Sequence, residues 1–187
     1  MTERVIVAGF GGQGIVFMGH LLCYVAMMEG KEVCGIPSYG AEMRGGTANF
    51  ALTISSCEIA SPVFSNPDTA IIMNQPSLDK FEERIIQNGL LVINTSLISR
   101  EIIRSDLKIL RVPATEIASQ IGNLKVANMV ILGAYVNKTR VVALETVVES
   151  LPSILPEHLY KFLSLNSCAL REGARYATRL TTDNHQL

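Results

Sequence analysis

The sequence predicts an α/β fold: a three-layer α/β/α sandwich around a mostly parallel or mixed central sheet, built by one domain over residues 1–187. Three observations predict it. Short apolar runs rich in β-branched residues recur at 4–8, 69–73, 90–94 and 107–112, of the continuous kind that strands show when both faces are buried. Helix-like segments alternate with them, which is the pattern of a sheet joined by crossover helices. With 187 residues, 48% of them hydrophobic, the chain can bury a core without disulfides or metals.

The first run stops at Gly9, and the turn Gly9-Phe10-Gly11-Gly12-Gln13-Gly14 opens an apolar helix. That helix should end near Glu29, because Gly30 can take the left-handed conformation of a C-terminal cap. Residues 31–36 read as the second strand. Between 37 and 46 the pattern fails in a polar, glycine-bearing loop, and strand composition returns at 47–54. Asn66-Pro67-Asp68 marks a turn ahead of the run at 69–73. Ser77 is the expected N-cap of a helix that places Leu78, Phe81 and Ile85 on one face and stops at Gly89. Beyond the strands at 90–94 and 107–112, a short helix over 113–121 ends at Gly122, and an apolar helix follows at 128–136. From 142 the chain reads as helical, with a break at Pro152, a restart at Pro156, a last helix to about Ala177 and a polar tail from Thr181.

The first helix has no polar face. One side must lie on the sheet, and the other needs cover from the C-terminal helix or from a partner subunit.

Composition excludes several classes of function. A net charge of -1 without a basic block offers nothing to neutralise a phosphate backbone, so no nucleic acid partner is expected. The longest apolar stretch falls short of a bilayer span and is broken by Gly19 and His20, so no membrane association is expected either. The start Met1-Thr2-Glu3-Arg4 lacks the basic flank and apolar core of a secretory signal. Cys23, Cys34, Cys57 and Cys168 are scattered without a CxxC pair, so no metal site is expected, and reduced thiols suit a cytoplasmic location.

The glycine turn satisfies G-x-G-x-x-G between a strand and a helix, the context of a Rossmann-like phosphate cradle. Glycines there permit close backbone approach, and the helix N-terminus presents free N–H groups to an anion. Gly9, Gly11, Gly12, Gln13 and Gly14 are therefore candidate binding residues. A nicotinamide dinucleotide site would also need an acidic residue at the end of the second strand, where Ile36-Pro37-Ser38 stands instead. A second candidate group lies in the following loop: Ser38, Tyr39, Glu42, Arg44, Gly45, Gly46 and Thr47, a guanidinium beside two glycines. If the first two strands are parallel neighbours, both loops open onto one crevice. The plainer alternative is that the glycines only turn the chain and Glu42 and Arg44 make surface contacts. No residue stands out as catalytic.

Three segments together, Gly9-Phe10-Gly11-Gly12-Gln13-Gly14, the run from Pro37-Ser38-Tyr39-Gly40-Ala41-Glu42-Met43-Arg44-Gly45-Gly46 through Thr47-Ala48-Asn49, and Val126-Ala127-Asn128-Met129, resemble the gamma subunit family of 2-oxoacid:ferredoxin oxidoreductases acting on pyruvate, 2-oxoglutarate or ketoisovalerate. Ala41 departs from the proline that many members carry. The resemblance implies CoA-dependent oxidative decarboxylation of a 2-oxoacid, of 2-oxoglutarate-like or branched-chain type, with this chain inactive by itself. It implies CoA as co-substrate at the two loops, and thiamine diphosphate, Mg and iron–sulfur clusters in partner subunits. Those partners would be thiamine diphosphate-binding alpha and beta subunits and a ferredoxin-like delta subunit, with ferredoxin reached through the complex. An indolepyruvate oxidoreductase subunit and a stand-alone nucleotide-binding module are the alternatives.

Overall fold

The computed structural model describes residues 1–40 and 47–183, with side chains through residue 180. The chain runs β1 (Thr2–Phe10), α1 (Ile15–Met28), β2 (Glu32–Tyr39), β3 (Thr47–Ser55), β4 (Thr69–Ile72), α2 (Gln75–Phe81), β5 (Leu90–Asn94), β6 (Lys108–Val112), α3 (Ala114–Ile121), α4 (Ala127–Thr139), α5 (Leu144–Ile154) and α6 (Leu163–Asp183). Six strands form one mixed sheet in the order β2-β3-β1-β4-β5-β6. β1, β4, β5 and β6 are parallel, whereas β3 pairs antiparallel with both β1 and β2. β1 and β2 are therefore parallel but not neighbours, because the β2–β3 hairpin folds β3 back between them.

Alternation along β1 sorts the core into two layers. Val5 and Val7 face a large core with α1, α4, α5 and α6, while Ile6 and Ala8 face a smaller one with Leu78 and Phe81 of α2, Ile85, Ile98 and Leu107. α4 lies at the centre of the larger layer, and every residue from Ala127 to Val136 is buried. It can come so close to α6 because each helix offers a glycine at the crossing: Gly133 sits against the Leu170 carbonyl and Gly173 against the Val130 carbonyl.

Several local readings shift by a few residues for identifiable reasons. Pro37, Ser38 and Tyr39 belong to β2 and not to a loop, since proline is tolerated on an edge strand. The cap of α2 is Asn74, whose Oδ1 accepts the Ser77 N–H at 3.0 Å, so Ser77 occupies the position that receives the cap. α5 continues through Pro152 to Ile154, and the chain turns extended only at Leu155. A 3₁₀ stretch, Glu157–Phe162, follows Pro156, and α6 runs past Ala177 to Asp183.

The apolar helix α1 finds its second cover inside the chain, chiefly from α5, with α4 adding to it. Leu22 is fully buried, whereas Met27 is 55% exposed. Leu22→Glu should therefore cost several kcal/mol, by leaving a carboxylate unpaired in an apolar setting. Met27→Lys should leave stability unchanged within about 0.5 kcal/mol. Urea unfolding of both variants checks the contrast, and equal losses would contradict this placement of the helix.

Candidate functional site

The carboxyl edge of β1 gathers the candidate groups. β1 ends with Phe10 opposite Thr47, and Tyr39 lies opposite Ala48, so the glycine turn follows β1 at the edge where β2 ends and β3 begins. β1 and β2 are not the neighbours that the expected shared crevice requires, because β3 lies between them, and Glu42, Arg44, Gly45 and Gly46 of the second loop lie outside the described residues. α1 and α2 follow the adjacent parallel strands β1 and β4 and pack on opposite faces, which opens a switch-point crevice at that edge. Gln13 ties the crevice together. Its Oε1 accepts the Phe10 N–H at 2.6 Å and the Asn74 Nδ2 at 3.3 Å, so this side chain braces the turn.

Gly9 is packed against Gln13, Ile15 and Met73, where a Cβ would find no room. Gly12, with φ +91, has open space where a side chain would stand. Gly14 must be glycine for two reasons: its φ is +73, and a Cβ there would lie 2.2 Å from Asn128 Nδ2. It starts α1 without a side-chain cap, and the first turn of α1 has no acidic residue. α4 likewise begins without a side-chain cap or an acidic first turn. Because Asn128 meets Gly14, the starts of these two long helices converge on one place; at α4 the Ala127 N–H is taken by the Leu124 carbonyl and the Met129 N–H by Asn128 Oδ1, so it is the start of α1 that offers N–H groups to an anion.

Beside Gly14 opens a cleft of about 380 Å³, bounded by Phe17, Lys125, Asn128, Leu159 and Phe162. Its walls are largely apolar, with an exposed ammonium at Lys125 and the buried carboxamide of Asn128. Such a cleft suits an elongated ligand with an anionic end. Lys125 is not among the candidate residues read from the sequence, and Asn128 enters there only within the segment Val126-Ala127-Asn128-Met129 that carries the resemblance, without a binding role. Nothing local marks Lys125, which the 3₁₀ turn Leu124–Val126 places at the site.

The remaining candidates separate. Ser38 pairs across the strands with Asn49, on the face away from α1, while Tyr39 points to the other face and is 68% exposed. Thr47 is half-buried at the start of β3. Glu42, Arg44, Gly45 and Gly46 lie outside the described residues. His20 is exposed and sets its ring edge-on to Phe50 at 5.1 Å. Burial, with Cys34 adding to it, pushes the Cys23 thiol up to about 11, which keeps it protonated and unreactive at neutral pH. Among the described residues no three His, Cys, Asp or Glu side chains come together as a metal-binding group, so this donor set does not fit an iron–sulfur cluster. Among the described residues no helix is long and apolar enough to cross a membrane.

Comparison with known proteins agrees with this architecture. The chain is 38% identical over 130 residues to ketoisovalerate oxidoreductase subunit VorA of Methanothermobacter thermautotrophicus, a match covering 70% of this chain and 27% of that one. It thus spans about a quarter of the length of the VorA proteins that it matches. It is 32% identical over 160 residues to 2-oxoglutarate synthase subunit KorC of Methanocaldococcus jannaschii, covering 84% of this chain and 86% of that one. The crystal structure of a keto/oxoacid ferredoxin oxidoreductase gamma subunit from Geobacter sulfurreducens superposes with a TM-score of 0.81 at 27% identity, over 95% of this chain and 99% of that one. The family model for pyruvate ferredoxin/flavodoxin oxidoreductase matches residues 4–176. With the glycine turn, the hairpin at the same edge and the Gly14–Asn128 contact all in place, the chain belongs to the pyruvate ferredoxin/flavodoxin oxidoreductase family.

Proposed function

We propose that this chain is the gamma-type subunit of a 2-oxoacid:ferredoxin oxidoreductase complex and forms the CoA-binding side of that enzyme. The observation that carries the CoA reading is the convergence of the α1 and α4 N-termini at Gly14, beside a cleft of about 380 Å³. CoA joins a pyrophosphate and a 3′-phosphate to a long, weakly polar arm. The free N–H groups at the start of α1 suit the pyrophosphate, Lys125 and Arg44 add full positive charge, and the apolar cleft suits the arm. Similarity to a 2-oxoglutarate synthase subunit and to a ketoisovalerate oxidoreductase subunit supports a 2-oxoglutarate-like or branched-chain substrate.

Thiamine diphosphate with Mg, and iron–sulfur clusters, supply the decarboxylation and the electron path to ferredoxin from the partner subunits. This chain's own residues orient CoA and hold its phosphates while the acyl group is transferred. In the assembled complex, Arg44→Ala and Lys125→Ala should each raise the CoA concentration needed for half-maximal rate by about 10- to 100-fold. Decarboxylation in the absence of CoA should proceed at the normal rate in both. Rapid-mixing kinetics with the two half-reactions followed separately makes the test, and unchanged CoA dependence in both variants would overturn the assignment. The purified chain alone should neither turn over a 2-oxoacid nor absorb visible light as an iron–sulfur protein does.

A further inference from the structure

The face of the sheet turned away from α1 carries a second polar pocket. Lys80 and Arg84, one helical turn apart, both set their charge over a single ring: Lys80 Nζ lies 5.2 Å and the Arg84 guanidinium 5.3 Å from the centre of Phe81. Like charges at this spacing repel. Among the described residues neither cation has a carboxylate partner, although seven other ion pairs form. Arg84 is also held in place, because its Nε and Nη2 donate to the Ser65 carbonyl at 3.1 and 2.9 Å. The facing wall is the cross-strand pair Ser38 and Asn49, and the space between is about 200 Å³.

Two cations without a carboxylate partner among the described residues, a hydroxyl and a carboxamide thus approach one small volume from a helix end and from a sheet. Donors arriving from different directions match a tetrahedral oxyanion better than a planar carboxylate. We propose that Lys80, Arg84, Ser38 and Asn49 form a binding site for a phosphate monoester group. The site lies on the opposite face of the sheet from α1 and does not depend on the CoA reading above.

The test is an isotope-edited NMR titration of the full chain with inorganic phosphate at fixed ionic strength, with chloride as the control. Saturable shifts are expected at the backbone amides of Ser38, Asn49, Lys80 and Phe81. Lys80→Gln, at an exposed position without a hydrogen-bond partner among the described residues, should weaken the apparent Kd by about tenfold, and Ser38→Ala by less. Shifts confined to residues 12–17 and 127–129 would overturn this site while leaving the CoA reading intact. An equal response to chloride would overturn it as well. So would loss of complex assembly in Lys80→Gln with no phosphate response in the parent chain, since the cations would then serve a carboxylate of a partner subunit.

Discussion

Gly173→Ala is expected to lower the stability of this protein by about 3 kcal/mol or more. In an exposed helix the same substitution would stabilise by about 1 kcal/mol, because alanine loses less backbone entropy. Here packing outweighs propensity. A Cβ on Gly173 would stand 1.8 Å from the Val130 carbonyl oxygen, and one on Gly133 would stand 1.9 Å from that of Leu170. Neither contact can be relieved by rotating a side chain, so α4 and α6 must move apart and open the centre of the larger core. Circular dichroism melts should show the midpoint of Gly173→Ala falling by roughly 10 °C, given 2–4 °C per kcal/mol at this chain length. An unchanged or raised midpoint would show that the helices are not in backbone contact.

Glu82→Ala should cost about 3 kcal/mol, because it breaks a clamp that holds the segment between β5 and β6. Glu82 is 2% exposed. Its carboxylate accepts Arg100 Nη2 at 2.5 Å and the backbone N–H groups of Ile103 and Arg104 at 2.6 and 3.0 Å. Burial alone would push this carboxyl up, but the Arg104 N–H, the Arg100 guanidinium and the Ile103 N–H together outweigh it and hold it below the usual range. A carboxyl held below its unfolded value contributes fully above about pH 4.3 and loses that contribution as the pH falls through the folded value. The gap between the parent chain and Glu82→Ala in urea unfolding should accordingly be widest at neutral pH and narrow below about pH 4. A gap that does not change with pH would mean that packing, and not the charged clamp, accounts for the loss.

Much of the fold is legible in short stretches of the chain. The runs at 69–73 and 90–94 and the start of β3 at Thr47 emerge within a residue of their places. Their β-branched, continuous apolar character leaves no other economical way to bury them. The glycine turn and the end of α1 are equally legible, since positive φ at Gly12 and Gly14 in the one and at Gly30 in the other favours residues without a Cβ. Capping is less legible. Ser77 and Asn74 are both competent caps three residues apart, and only the turn after β4 settles which one receives the N–H.

The candidate site divides along the same line. Local pattern pointed to a phosphate-accepting helix start at Gly14, because strand, glycine turn and apolar helix are consecutive in the chain. Lys125 and Asn128 could not be read in that way: they lie more than a hundred residues further on and meet Gly14 only through the docking of α4 against α1. The hairpin that inserts β3 beside β1 is also a matter of long-range pairing. A hairpin and a crossover share the same strand composition, and the antiparallel choice rests on hydrogen bonds between partners far apart in the chain. The same pairing sends Ser38 and Tyr39 to opposite faces of the sheet, since successive side chains of a strand alternate whatever the neighbouring loop suggests.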